Sequence, residues 1–206
     1  MIKKYFEIEK INLLNNNFFL FYGINNGLKK EIIEKSIKKK TNLQLVSYEE
    51  NEVLTNQQNF INELTNKSFF DKGKIYKIDR STDKMLDFIE KINEIKLEGS
   101  ILIINSDVLD KKSKLRLFFE KDKKYICIPF YPDDNRKLFS LASNFFKERK
   151  VSISSESINL LVERAREDRE NLIGEIEKIS MFCLDSKSIS FEDVVALSNL
   201  SENYKI

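Results

Sequence analysis

Apolar positions in the first two-thirds of the chain come in two alternating patterns. Short continuous runs read as buried strands, and stripes spaced three and four residues apart read as helices. Phe18–Tyr22 is a five-residue apolar run ending in Gly23, which suits a strand buried on both faces of a parallel sheet. Leu28, Ile32, Ile33 and Ile37 then recur at helical spacing, and lysines at 38–40 close that helix where cations suit its dipole. Residues 43–48 read as a second strand. A polar helix is expected over 53–64, with Phe60 and Leu64 one turn apart. Lys74–Asp79 reads as a third strand, followed by a helix carrying Met85, Ile89 and Ile92. Residues 100–104 form another buried strand, 111–120 a helix and 125–128 a last strand. Strands alternating with helices predict a parallel α/β sheet covered on both faces.

After Pro129 and Pro132 the strand pattern stops. Asp133 or Asp134 caps a helix running to about residue 150. Ser154 caps a second, with Ile158, Leu161, Val162 and Ala165 on one face. Asp168 caps a third, carrying Leu172, Ile176, Ile179 and Cys183. Ser190 opens a short fourth with a capping-box-like start. The expected division is an α/β domain over 1–132 and a small all-helical domain over 133–206, a size marginal on its own.

Composition narrows the chemistry. With no histidine, Ser-His-Asp and Cys-His nucleophiles and histidine metal sites are excluded. The two cysteines, Cys127 and Cys183, sit far apart among apolar neighbours and read as buried thiols rather than a disulfide or metal pair. A net charge of +2 gives no global basic field for nucleic acid. No apolar run is long enough for a membrane span, and the first residues lack the apolar core of a signal peptide, so a cytoplasmic location is expected.

The strand–glycine–helix junction at residues 18–30 is where a phosphate-binding loop belongs, and such a loop reads G-x-x-x-x-G-K-S/T. With Gly23 as the first glycine, Leu28 stands in place of the second. Lys29 keeps the lysine, and Lys30 replaces the Mg²⁺-binding hydroxyl. The strand at 100–104 is followed by Asn105 and Ser106, with Asp107 beyond the usual position for a metal-holding carboxylate. Two readings follow: an ATPase with an aberrant loop using Lys29, or an ordinary turn in which Lys29 is a remnant or a surface lysine. Catalytic residues, metal and cofactor are all expected to be absent.

Other features have two readings each. Phe69-Phe70 after Ser68 is either core packing or an exposed anchor for a protein partner. Phe118-Phe119 and Phe145-Phe146 lie within helices and read as packing. The pairs Glu49-Glu50 and Asp133-Asp134 read as solvated turns or caps. The lysine groups at 38–40 and within 121–124 read as solvated element ends that are also able to touch DNA phosphates.

Four stretches taken in order resemble the delta subunit of bacterial DNA polymerase III, the clamp-loader component that opens the sliding clamp. They are residues 19–23 with no working P-loop after them, residues 64–70 followed by a strand, residues 101–115, and the two segments 168–179 and 188–194. The resemblance covers essentially the whole chain. It implies an AAA+-type domain followed by a helical lid, binding to the clamp (the beta subunit), and no ATP hydrolysis. It also implies that Phe69 and Phe70, next to Ser68, enter an apolar pocket of the clamp. The first of these positions is normally aliphatic in the family, and the glycine of the lid's glycine–acid pair is Glu167 here, before Asp168. The family carries a further helical collar that assembles the loader. With that collar, partners would include the delta prime and gamma/tau subunits, and DNA through the assembled loader. This sequence ends at Ile206, so the expectation is a fragment, or a chain lacking the collar.

Overall fold

The computed structural model describes residues 1–13, 15–65, 73–95, 97, 99–183 and 186–198. Two compact units emerge, one of Met1–Ile24 with Leu28–Tyr131, the other of Asn25–Gly27 with Pro132–Ile206.

The first unit is built on five parallel strands, β1 (Phe18–Tyr22), β2 (Gln44–Glu49), β3 (Lys74–Asp79), β4 (Ile101–Ser106) and β5 (Ile126–Pro129), in the order β2-β3-β4-β1-β5. All five residues of β1 are buried because it is central and covered on both faces. Phe18, Leu20 and Tyr22 join one core cluster with Phe60, Phe88 and Phe119, while Phe19 and Phe21 join another with Ile33, Ile37 and Phe130. The period-two alternation of a strand sends neighbours to opposite faces, which is why the run is apolar throughout.

Helix α1 begins at Asn26–Glu31, widens into a π-helical stretch at Ile32–Lys38, and ends at Lys39–Thr41, where Asn42 turns left-handed at φ 54°. Its apolar stripe covers the Phe19/Phe21 face. The other crossovers cover the opposite face: α2 (Glu50–Thr55), α3 (Gln57–Thr65), α4 (Leu86–Ile92) and α5 (Lys114–Lys121). The first crossover runs from β1 to the far edge, and the later ones step back. Right-handed connections therefore make α1 the one crossover helix on its face, where the 3-10 helix Tyr5–Lys10 packs beside it through Ile8. The helix expected over 53–64 is two helices. They break at Asn56, whose φ −123° and ψ 44° are not helical. Strand β4 runs two residues further than its apolar run and takes in Asn105 and Ser106.

The second unit contains α6 (Asn135–Glu148), α7 (Ser155–Ala165), α8 (Arg169–Phe182) and α9 (Phe191–Leu197). Each is capped by the side chain the sequence offers, Asp134, Ser154, Asp168 and Ser190, accepting from a first-turn amide. Leu138, Ala142 and Phe146 of α6 pack with Leu161, Leu172, Ile176 and Ile179 as one core. Both cysteines are free and buried.

Candidate functional site

In open parallel sheets ligands bind beyond the carboxyl ends of the strands, at the point where successive crossovers part to opposite sides. Here that point lies between β1 and β4. The degenerate loop follows β1, so the sequence places its loop at the fold's natural crevice.

Lys29 occupies that crevice. It is 2% exposed, and its Nζ donates to the main-chain oxygen of Ser106, the last residue of β4, at 2.8 Å. Burial pulls its pKa down to about 8, Asp107 and then Asp79 pull the other way, and Lys77 adds to the lowering. Lys29 is therefore neither a surface lysine nor a stray one. The helical register that buries Leu28 (5% exposed) and Ile32 in the sheet-facing core turns the next side chain inward under the end of β4. Leu28 stands at the second-glycine position because that position is core here. Lys30 is exposed.

Gly23 is required, but by protein rather than phosphate. Its φ is +117°, and a Cβ there would lie 2.2 Å from the carbonyl oxygen of Phe130. Its own amide donates to the Asp107 carbonyl at 2.9 Å, and the Phe130 amide donates to Tyr22 at 2.7 Å. In a working loop the first-glycine region leaves room and free amides for phosphate. Here the ends of β4 and β5 take both.

The neighbouring carboxylates are also committed. Asp79, at the end of β3, pairs with Lys77 at 2.8 Å and accepts from Asn105 Nδ2 at 2.6 Å. Glu50, expected to be solvated, is 7% exposed and accepts from the Thr82 hydroxyl at 3.0 Å and from the Thr82 amide. Asp83 accepts from the Ser113 hydroxyl at 2.6 Å and from the amides of Lys114 and Leu115, each at 3.1 Å. Burial pushes the Asp83 pKa up, but those donors outweigh it and hold the carboxyl below its usual range. It caps α5 from 30 residues away. No local sequence pattern announces such a partner. Among the described residues no group of three or more His, Cys, Asp or Glu side chains is placed to hold a metal.

Within the second unit, Asp133 is 4% exposed and pairs with Arg169 at 2.8 Å, while Asn25 Nδ2 donates to the same carboxylate oxygen at 3.0 Å. The sequence reading had Asp133 as a solvated cap. Asp134 does the capping, which frees Asp133 to turn inward. A Cβ on Gly27 would meet Arg169 Cβ and the Glu170 amide nitrogen at 3.1 Å each. The glycine thus admits the first turn of α8. Arg166 and Glu167 both have left-handed backbone, at φ 49° and 62°.

Ser68, Phe69 and Phe70 lie outside the described residues. Their flanks are the end of α3 at Thr65 and Gly73, whose φ is +92°. Phe119 and Phe146 are fully buried, and Phe118 and Phe145 pack partly buried against the same cores.

No protein-family profile matches the chain, and no curated protein matches it in sequence. Solved structures do match in fold. The Bacillus subtilis DNA clamp loader delta protein (YqeN) is 17% identical with a TM-score of 0.56, over 94% of this chain and 61% of that one. Domain III of the Thermotoga maritima replication initiation protein DnaA is 16% identical with a TM-score of 0.57, over 98% and 90%. The Thermotoga maritima RuvB Holliday junction branch migration motor is 13% identical with a TM-score of 0.56, over 88% and 60%. The chain therefore spans about three-fifths of the clamp loader delta and RuvB structures it matches. At these identities the likeness is one of fold. The chain has the AAA+-like arrangement of a parallel five-stranded sheet unit and a small helical unit.

Proposed function

We propose that this chain is a clamp-loader subunit of the delta type, which binds and opens the sliding clamp and performs no nucleotide chemistry of its own. The observation that carries this is the buried ammonium of Lys29 on the Ser106 carbonyl. The residue that would neutralise phosphate charge instead closes the crevice from within, while Gly23 receives Phe130. A nucleotide-type scaffold whose site is spent on its own strand ends is suited to a mechanical or binding role. The fold likeness to a clamp loader delta protein and to replication proteins supports the reading, as does the order of the four sequence stretches.

In this reading Phe69 and Phe70, beside Ser68, are the anchors that enter an apolar pocket on the clamp. Docking that is stronger to the open ring shifts the clamp's closed–open equilibrium without covalent chemistry. No helix among the described residues is long and apolar enough to cross a membrane, consistent with a partner in solution. Delta prime and gamma/tau subunits, and DNA through the assembled loader, are partners of the whole assembly.

The test is a titration of the sliding clamp with wild type and with the Phe69→Ala/Phe70→Ala double variant. Loss of two anchors is expected to weaken binding by about 30-fold or more, corresponding to about 2 kcal/mol. Unchanged affinity would remove the site assignment.

A further inference from the structure

Helix α6 of the second unit ends on a run of cations. Lys147, Arg149 and Lys150 are all exposed, and Lys150 stands just past the helix in left-handed backbone at φ 57°. Far along the chain, Lys187 is also exposed and also left-handed, at φ 51°. A parallel bridge between Ser152 and Ser188 brings the two segments together. The Ser152 amide donates to the Lys187 carbonyl at 2.8 Å, and the Ile189 amide to the Ser152 carbonyl at 3.1 Å. Cations from two distant segments therefore share one edge of this unit.

These charges are uncompensated. Elsewhere in the unit Lys137 pairs with Asp134, Arg169 with Asp133 and Lys178 with Glu175. Among the described residues Lys147, Arg149, Lys150 and Lys187 form no ion pair, and Glu148, the one described carboxylate in the two segments, joins none of them. Lys147 and Lys150 are three residues apart, a spacing at which like charges destabilise unless an anion lies between them. A helix end suits cations, which accounts for Lys147 and Arg149. It does not account for lysine at both left-handed positions, where a side chain is strained and glycine is favoured.

Aromatic groups stand among the cations. The Arg149 guanidinium lies over the Phe145 ring, 3.5 Å from its centroid, which fixes its plane. Phe182, the last residue of α8, is 57% exposed. The carbonyl of the next residue, Cys183, accepts from the Lys187 amide at 3.2 Å, so a bare ring belongs to the turn that carries Lys187. Cations in series beside an exposed ring suit a polymer that alternates phosphate and base. Its phosphates meet the ammonium and guanidinium groups, and a base stacks on the ring. An acidic peptide would use the charges and leave the ring idle. An anionic bilayer calls for a broader apolar face than Met181 and Phe182 provide.

We propose that this edge of the second unit, Lys147, Arg149, Lys150 and Lys187 with Phe182, binds single-stranded nucleic acid. It is a local basic surface on a chain whose net charge is only +2. It is independent of the crevice filled by Lys29 and of the clamp-binding reading.

Fluorescence anisotropy of a labelled oligothymidylate, titrated with the full chain over a salt series, tests it. Phosphate contacts by the four cations, at about −0.7 each, predict a log–log salt slope of about −3. Lys150→Gly/Lys187→Gly removes two charges and relieves two left-handed positions. It is expected to melt no lower than wild type, yet to bind about tenfold more weakly with about half the slope. Phe182→Ala should weaken binding about tenfold at an unchanged slope, because stacking carries no charge. Should the glycine variant fail to fold, Lys147→Gln/Arg149→Gln gives the same reading of slope. No oligonucleotide binding, or binding unchanged in the charge variants, would overturn the proposal. So would polyglutamate competing as well as unlabelled oligothymidylate of equal charge.

Discussion

The Nζ of Lys29 lies 2.8 Å from the carbonyl oxygen of Ser106, and this contact joins the start of the first crossover helix to the end of β4. The lysine at the position of a phosphate-binding-loop lysine serves as an internal tie.

The buried ammonium carries a pH signature. Its pKa of about 8 in the folded chain lies below the ordinary lysine value of 10.5. Between these values the unfolded chain holds a proton that the folded chain has lost, so the folded state gains stability as pH rises through this window. Below about pH 8 both states are protonated and the gain is absent. Comparing wild type with Lys29→Met cancels the other titrating groups. The melting-temperature difference should move in favour of wild type from pH 8 toward pH 10. A pH-independent difference would mean that the amine is solvated.

Gly23 should tolerate no side chain. Gly23→Ala combines a φ of +117° with a Cβ 2.2 Å from the Phe130 oxygen, an atom fixed by its place in the backbone. Strain and overpacking together predict a loss of about 2–4 kcal/mol in a urea melt. Gly27→Ala meets its neighbours only at 3.1 Å. Its cost should be near 1 kcal/mol, since small displacements relieve such contacts. Equal costs at the two glycines would contradict the roles assigned to them.

The Asp133–Arg169 pair is nearly dry, with side-chain exposures of 3% and 11%. Removing Arg169 leaves the buried Asp133 carboxylate without its counter-charge, at about 3–5 kcal/mol. Arg169→Met should therefore destabilise strongly. The double variant Arg169→Met/Asp133→Leu should recover much of the loss. A double-mutant cycle in urea checks this, and additive losses would show that the pair is not coupled.

Glu167 stands in left-handed backbone at φ 62°, one residue after Arg166 at φ 49°. A side chain there costs about 1–2 kcal/mol, which glycine avoids at some entropic expense. Glu167→Gly should raise stability by about 0.5–1 kcal/mol, read from a chemical melt. Glycine at the neighbouring capping position, Asp168→Gly, should lower stability instead, because the cap bonds to Glu170 and Asn171 are lost.

Much of this architecture is legible in the residue pattern. The central strand is five apolar residues because both its faces are covered, and the helix caps are Asp134, Ser154, Asp168 and Ser190 because each offers an oxygen to the next turn. The absence of a second glycine and of a hydroxyl from the loop is equally plain. What the loop's remaining groups contact is not, because that depends on distant segments. Lys29 reaches Ser106 across 77 residues, Asn25 reaches Asp133 across 108, and Asp83 caps a helix that begins near Ser113. Periodicity reports which face a residue is on. It does not report which distant segment that residue will meet, so Lys29 keeps two readings and Asp133 reads as a solvated cap until those contacts are known.

The most direct test of the central claim is a thermal melt of the full chain with millimolar Mg·ATP. A site closed by Lys29 predicts an unchanged melting temperature with nucleotide and metal, for wild type and Lys29→Ala alike, because no ligand binds the folded state. A Mg²⁺-dependent rise in wild type that Lys29→Ala abolishes would contradict the account and return the chain to the nucleotide-binding class.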